Sequence, residues 1–184
     1  SVNDAPAGAD NAITFNEDTI YSFAAGDFGF TDPNDSPANL LNGVVITTVP
    51  ALGTLSLAAG ASAPGPVTAG QFVTTADIAF LRYTPPANAN GAAYSSFTFQ
   101  VRDDGGTANG GANTDASANT ITFNVTSVND APAGTDITLA TNEDTALSFT
   151  AANFGFTDPN DALANNLSGV RIAALPAAGT LTLI

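Results

Sequence analysis

The chain repeats itself. The block Ser1-Val2-Asn3-Asp4-Ala5-Pro6-Ala7-Gly8 returns unchanged as Ser127-Val128-Asn129-Asp130-Ala131-Pro132-Ala133-Gly134, a period of 126 residues. Asn16-Glu17-Asp18-Thr19 returns as Asn142-Glu143-Asp144-Thr145. Phe28-Gly29-Phe30-Thr31-Asp32-Pro33-Asn34-Asp35 returns as Phe154-Gly155-Phe156-Thr157-Asp158-Pro159-Asn160-Asp161. Without a gap, 36 of the 58 overlapping positions are identical. One full copy and a little under half of the next fill the 184 residues. A regular long period of this kind is the signature of a domain array.

The period is the size of one independently folding domain and far exceeds a solenoid repeat. Each copy should therefore own its core. The expected domains are residues 1–126 and the first part of a like domain over 127–184. A sandwich stopping at Ile184 would leave strand edges unpaired. A later segment or another polypeptide is expected to complete it.

Composition removes several chemistries. The protein has no Cys, Met, Trp, His or Lys. Disulfides, thiolate metal sites and Cys nucleophiles are excluded, and the commonest general base is missing. Only Arg82, Arg102 and Arg171 are positive, against a net charge of −14. Nucleic acid needs a basic surface and is not an expected partner. No apolar run reaches the ~20 residues of a membrane-spanning helix. Paired carboxylates such as Asp103-Asp104 do not make a glycosidase without a cleft, and Glu-Asp recurs in each copy as scaffolding would. No enzyme is expected.

Short stretches alternate apolar and polar residues. Thr120 to Thr126 places Ile121, Phe123 and Val125 on one face. Ser96 to Arg102 does the same with Phe97, Phe99 and Val101, and Thr54 to Leu57, Ala79 to Tyr83, Ala12 to Phe15 and Thr19 to Phe23 follow the pattern. Period-two alternation marks half-buried strands. About seven such strands between Gly, Pro, Asn and Asp clusters read as an antiparallel β-sandwich of Ig-like type. No amphipathic helix is evident. Ala58 to Gly70 reads as an exposed excursion, and Asp103 to Asn119 as a long hairpin loop, mobile unless something orders it.

The acids carry the functional reading. Fifteen of the seventeen are Asp. Asp is short, suits turns and is a compact oxygen ligand. It clusters in Asn3-Asp4, Glu17-Asp18, Asp32-Pro33-Asn34-Asp35 and Asp103-Asp104, and again in the second copy. Carboxylates within ~5 Å repel by roughly 1 kcal/mol per pair even in water. A hard divalent cation reverses that sign, and Ca²⁺ takes its ligands from such oxygens. Any one Asp-Pro-Asn-Asp run is also a natural type I turn.

Val-Asn-Asp-Ala-Pro, Glu-Asp-Thr, Phe-x-Asp-Pro-Asn-Asp, Gly-Thr-Leu and Phe-x-Phe-x-Val-x-Asp-Asp-Gly together resemble the tandem cadherin-like repeats of giant bacterial surface proteins and adhesins. The resemblance covers essentially the whole sequence. It implies Ca²⁺ between successive domains of an extracellular protein. At the junction it implies Asn129 and Asp130 as the linker pair, Glu17 from the preceding domain, and Asp158, Asn160 and Asp161 from the following one. At the equivalent N-terminal pole it implies Asn3, Asp4, Asp32, Asn34, Asp35 and Asp103 or Asp104. The linker here is Asn-Asp-Ala, without the second Asn. Asp-Pro-Asn-Asp replaces Asp-x-Asp, and no Asp-Arg-Glu motif is clear, although Asp77 could stand in.

The expected role is an extender module, a stalk segment whose partners are neighbouring repeats. Head-to-tail or lateral self-association into a fibre with shared strands is the close variant. A glycan- or cell-binding module is the competing class. It would need an exposed aromatic platform, for which Tyr21, Tyr83 and Tyr94 are the only tyrosines.

Overall fold

A computed structural model describes residues 2–183. The protein divides into two units, one running through Val128 and one beginning at Asn129. Among the described residues the first unit holds nine strands: β1 (Asn11–Asn16), β2 (Tyr21–Ser22), β3 (Leu41–Ile46), β4 (Thr54–Leu57), β5 (Gly65–Pro66), β6 (Phe72–Thr74), β7 (Leu81–Thr84), β8 (Gly91–Asp103) and β9 (Asn119–Thr126). They form two sheets, ordered β1-β9-β8-β3-β6 and β2-β7-β4-β5. This is an all-β, Ig-like sandwich.

The alternating residues build its core. Phe97, Phe99 and Val101 of β8 and Ile121 and Phe123 of β9 are buried, while the residues between them are not. Tyr83 of β7 stacks on Phe123 at 3.8 Å, joining the two sheets. Phe99 meets Phe28 edge-on at 4.9 Å. Fully burying one such ring contributes about 2 kcal/mol or more. Gly43 sits where β3 passes between β6 and β8 and the register shifts. A Cβ there would lie 2.3 Å from the Val73 carbonyl oxygen, so only glycine lets the strands approach.

One pairing sets the direction of the whole domain. β1 runs parallel to β9, from Asn11 opposite Ile121 to Asn16 opposite Thr126. The backbone therefore enters the sandwich at one end and leaves it at the other.

Three details refine the sequence reading. A single helical turn, α1 (Thr75–Ile78), is present; Thr74 caps it by accepting the Asp77 N–H at 3.2 Å. One turn is too short to show a helical period. The excursion from Ala58 to Gly70 is mostly exposed, as expected, and is also anchored. The Asp77 carboxylate accepts the Ser62 N–H at 2.7 Å and the Ser62 and Thr74 hydroxyls, and Val67 is buried. These donors hold the Asp77 carboxyl below its ordinary range. Lastly, Thr19 to Phe23 gives only the two-residue β2.

The second unit contains a 3₁₀ turn (Ala151–Phe154) and an isolated bridge between Ala133 and Thr157, but no named strand among the described residues. In the first unit β3 pairs with β6 and β8, β4 with β5 and β7, and β1 with β9. Counterparts of all those partners fall beyond the 58 positions of the second copy. Phe149 is accordingly 50 % exposed, where its counterpart Phe23 is 4 %. Ile172 is 51 % exposed, where Ile46 is 0 %.

Candidate functional site

The N-terminal pole of the first unit is built from local turns. Ala7 and Thr31 exchange backbone hydrogen bonds at 2.9 and 2.8 Å, laying the entering strand beside the Asp-Pro-Asn-Asp turn. The preceding 3₁₀ turn (Ala25–Phe28) ends on Gly29, whose φ of 58° suits glycine. A Cβ there would also lie 2.6 Å from the Cβ of Ala9.

These turns gather the acids around two asparagines. Asp35 Oδ2 accepts the Asp4 N–H at 3.0 Å, and Asp32 Oδ2 accepts the Asn39 N–H at 2.7 Å. The Asn39 side-chain amide donates to Asn3 Oδ1, and to Asp35 Oδ2 at 3.2 Å. Asn3 Nδ2 donates to both oxygens of Asp103 at 3.2 and 3.3 Å. Asp104 closes the group, its Oδ1 accepting the Leu40 N–H at 2.8 Å.

Burial makes this pole unusual. Asp103 is 0 % exposed and Asp32 is 6 % exposed. Asp32 Oδ1 is buried without a hydrogen-bond partner. Burial raises the Asp103 pKa above 3.8, against the lowering effect of the Gly105 N–H and the Asn3 amide; the charges of Asp32 and Asp35 raise it further. An orphaned buried carboxylate oxygen costs free energy until an electropositive partner reaches it.

The second unit rebuilds the same cradle without the sandwich. Ala133 and Thr157 exchange hydrogen bonds at 2.8 and 2.8 Å. Asp161 Oδ1 accepts the Asp130 N–H at 2.8 Å, and Asp158 Oδ2 accepts the Asn165 N–H at 2.9 Å. The Asn165 amide donates to Asn129 Oδ1 at 2.8 Å and to Asp161 Oδ2 at 2.7 Å. Asp158 Oδ1 is again buried without a partner. The recurrence has a physical cause: every contact in this set is local, spanning at most 36 residues, whereas β1 and β9 are 110 apart.

The structure thus brings together Asn3, Asp32, Asp35 and Asp103 in one copy and Asn129, Asp130, Asp158 and Asp161 in the other. Asp4, Asn34 and Asp104 are exposed, and Asn160 is partly exposed. Among the described residues, no three carboxylates already surround a common point as a closed metal site would. The donor chemistry nevertheless fits a hard cation. Asp32 and Asp158 each present one unused buried oxygen, and the Asn3 and Asn39 amides, once turned, can present theirs.

Glu17 occupies the opposite pole. It is 1 % exposed, and its carboxylate accepts the Asn90 amide at 3.0 Å and the Val128 N–H at 2.7 Å. Its own N–H reaches the Thr126 carbonyl at 2.9 Å. Glu17 therefore fixes the backbone where it leaves the first sandwich.

Several working residues carry no signal in the sequence. Asn39 and Asn165 sit in nondescript stretches; only their recurrence one period apart marks them. Asp115 is the residue that orders the long loop. It accepts the Gly8 N–H at 2.8 Å, the Ser117 N–H at 3.0 Å and the Asn119 amide at 2.8 Å. Asn3 holds the other end, accepting the Ala112 N–H at 2.9 Å and donating to the Ala112 and Gly106 carbonyls at 2.6 and 3.1 Å.

The tyrosines form no platform. Tyr83 is fully buried, Tyr94 is half-buried, and Tyr21 packs on Phe15 and Phe23 and donates to Asp27 at 3.0 Å. Burial and the Asp27 carboxylate push the Tyr21 phenol up to about 12.

No curated protein and no solved structure matches the sequence. A family model described as a bacterial Ig domain matches residues 3–115, well over half of it. The match opens on Asn3 and closes on Asp115, the two residues that pin the long loop to the entering strand. The chain belongs to the bacterial Ig domain family.

Proposed function

We propose that this protein is a stretch of the stalk of a long extracellular surface protein. Domains of this family usually serve as structural modules of surface proteins, and no described helix is long and apolar enough to cross a membrane. The observation that carries the stalk reading is the parallel pairing of β1 with β9. A domain entered at one end and left at the other strings head to tail, so repetition adds length.

The repeats are, in this reading, of the cadherin-like type, and Ca²⁺ at the poles stiffens the array. Two buried carboxylate oxygens without partners, at Asp32 and Asp158, support it by their equivalence. Asn3, Asp32, Asp35 and Asp103 would hold the ion in the first copy. Asn129, Asp130, Asp158 and Asp161 would do so in the second, with Glu17 setting the exit of the preceding linker. Bound Ca²⁺ would supply positive charge and nothing else. An ion that binds the ordered linker better than the bent one shifts the population toward it. Extracellular modules commonly bind with Kd of ~10⁻⁴ to 10⁻³ M, so millimolar Ca²⁺ outside a cell would hold the rod straight. Small-angle scattering of the protein with and without chelator tests this; an unchanged maximum dimension would sink it.

Strand sharing in a fibre is the second reading. Phe149, Val170, Ile172 and Leu183, whose counterparts are core, are the positions such sharing would cover. Either a following segment of the same polypeptide or a second polypeptide would cover them. Light scattering across a concentration series separates the two, since only the second gives a mass that rises with concentration.

A further inference from the structure

Three Asn-Gly pairs occur in the sequence, at Asn42, Asn90 and Asn109. In such a pair the glycine amide nitrogen can attack the asparagine Cγ, because no Cβ shields it. The fold treats the three differently. Asn42 lies inside β3, and its successor Gly43 is buried between β6 and β8, with room for no added atom beside the Val73 carbonyl. The Asn90 amide is held by the Glu17 carboxylate at 3.0 Å, and Gly91 pairs with Val125. Asn109 is exposed, its side chain makes no hydrogen bond among the described residues, and nothing lies within 4 Å of the position a Cβ on Gly110 would take. Its backbone already departs from the helical region, at φ 57° and ψ 27°.

We infer that Asn109 is a site of spontaneous deamidation, a slow one-way chemical change built into the loop at the N-terminal pole. The Gly110 nitrogen gives its proton to solvent and bonds to Asn109 Cγ. The Cγ–Nδ2 bond breaks and ammonia leaves, closing a five-membered succinimide. Water then opens either imide carbonyl, giving aspartate or isoaspartate. Both products add a negative charge, and isoaspartate adds a methylene to the main chain.

The place gives the change a consequence. Gly111 donates to the Ala108 carbonyl at 3.1 Å, and the next residue, Ala112, is clasped from both sides by Asn3. Lengthening the backbone at Asn109 shifts Ala112 against Asn3, and Asn3 also holds Asp103. Ageing therefore loosens the latch between the entering strand and the buried acids. This inference stands whether or not the pole binds a cation.

The test is timed incubation of the whole protein at mildly alkaline pH, folded and in denaturant, followed by peptide mapping for aspartate and isoaspartate. The expected result is conversion at Asn109 well ahead of Asn42 and Asn90 in the folded protein, with the three alike in denaturant. Amide exchange at Gly105 to Ala112 should rise in aged wild type and stay constant in aged Asn109→Gln. Equal rates at the three pairs in the folded protein would overturn the inference. So would an intact Asn109 under conditions that convert it in denaturant. Unchanged exchange in fully converted protein would overturn the link to the pole.

Discussion

Asn3 and Asp103, a hundred residues apart, meet through the Asn3 amide, which reaches both carboxylate oxygens at 3.2 and 3.3 Å. The same amide holds the Gly106 and Ala112 carbonyls. A linker residue thus organises the end of β8 and the loop that follows. Asn3→Ala should cost about 1–3 kcal/mol, because it strands a buried carboxylate and two carbonyls. Hydrogen exchange should rise at Gly105 to Asn113 and stay protected in β9. Equal protection of the loop in both proteins would remove this role from Asn3.

Asp103 gives the fold a pH dependence. Its pKa is raised in the folded state, so between its ordinary value of 3.8 and that raised value the folded protein binds more protons than the unfolded one. Its contribution therefore falls as pH rises through that window. Asp77 acts in the opposite sense. Its lowered pKa gives stability that is present above 3.8 and lost as pH falls through the folded value. In chelator, Asp103→Asn should remove the loss on the alkaline side of the window, gaining stability relative to wild type as pH rises toward neutrality. Thermal melts across that range would show it. Parallel curves for the two proteins would contradict the assignment.

The two copies offer an internal control for burial. Phe23→Ala should destabilise the first unit by about 3–5 kcal/mol, since the ring is core. Phe149→Ala, at the equivalent but half-exposed position, should change that unit's unfolding by less than about 0.5 kcal/mol. Denaturant titration of both variants decides the point.

Glu17→Ala should leave the Asn90 amide and the Val128 N–H without their acceptors, at a cost of about 1–3 kcal/mol. Exchange at Val128 should accelerate. Glu17→Gln retains one acceptor oxygen and should fall between. A Val128 amide as slow in Glu17→Ala as in wild type would show that another group fixes the exit.

The sandwich was legible because Ile121, Phe123 and Val125, like Phe97, Phe99 and Val101, alternate without interruption and become two adjacent inner strands of the five-stranded sheet. The grouping of Asn3 with Asp32 and Asp103 followed from the resemblance, not from spacing; no periodicity brings residue 103 beside residue 3. Asn39 and Asp115 escaped because a lone Asn or Asp in a loop carries no period. The resemblance places Glu17 at the junction as a ligand; in the structure its carboxylate accepts from Asn90 and Val128 at the exit of the first sandwich. The helical turn at Thr75 was hidden by its length.

Calorimetric titration of the whole protein with Ca²⁺, beside the Asp32→Asn, Asp158→Asn double variant, tests the account at its centre. Wild type should take up Ca²⁺ at the acidic cluster of each copy, and saturation at about 100 times Kd should stabilise each site's ordered state by roughly 2.7 kcal/mol. The double variant should lose both uptakes while keeping its strand content. Equal binding by the two proteins, or no binding by wild type at millimolar Ca²⁺, would contradict the assignment.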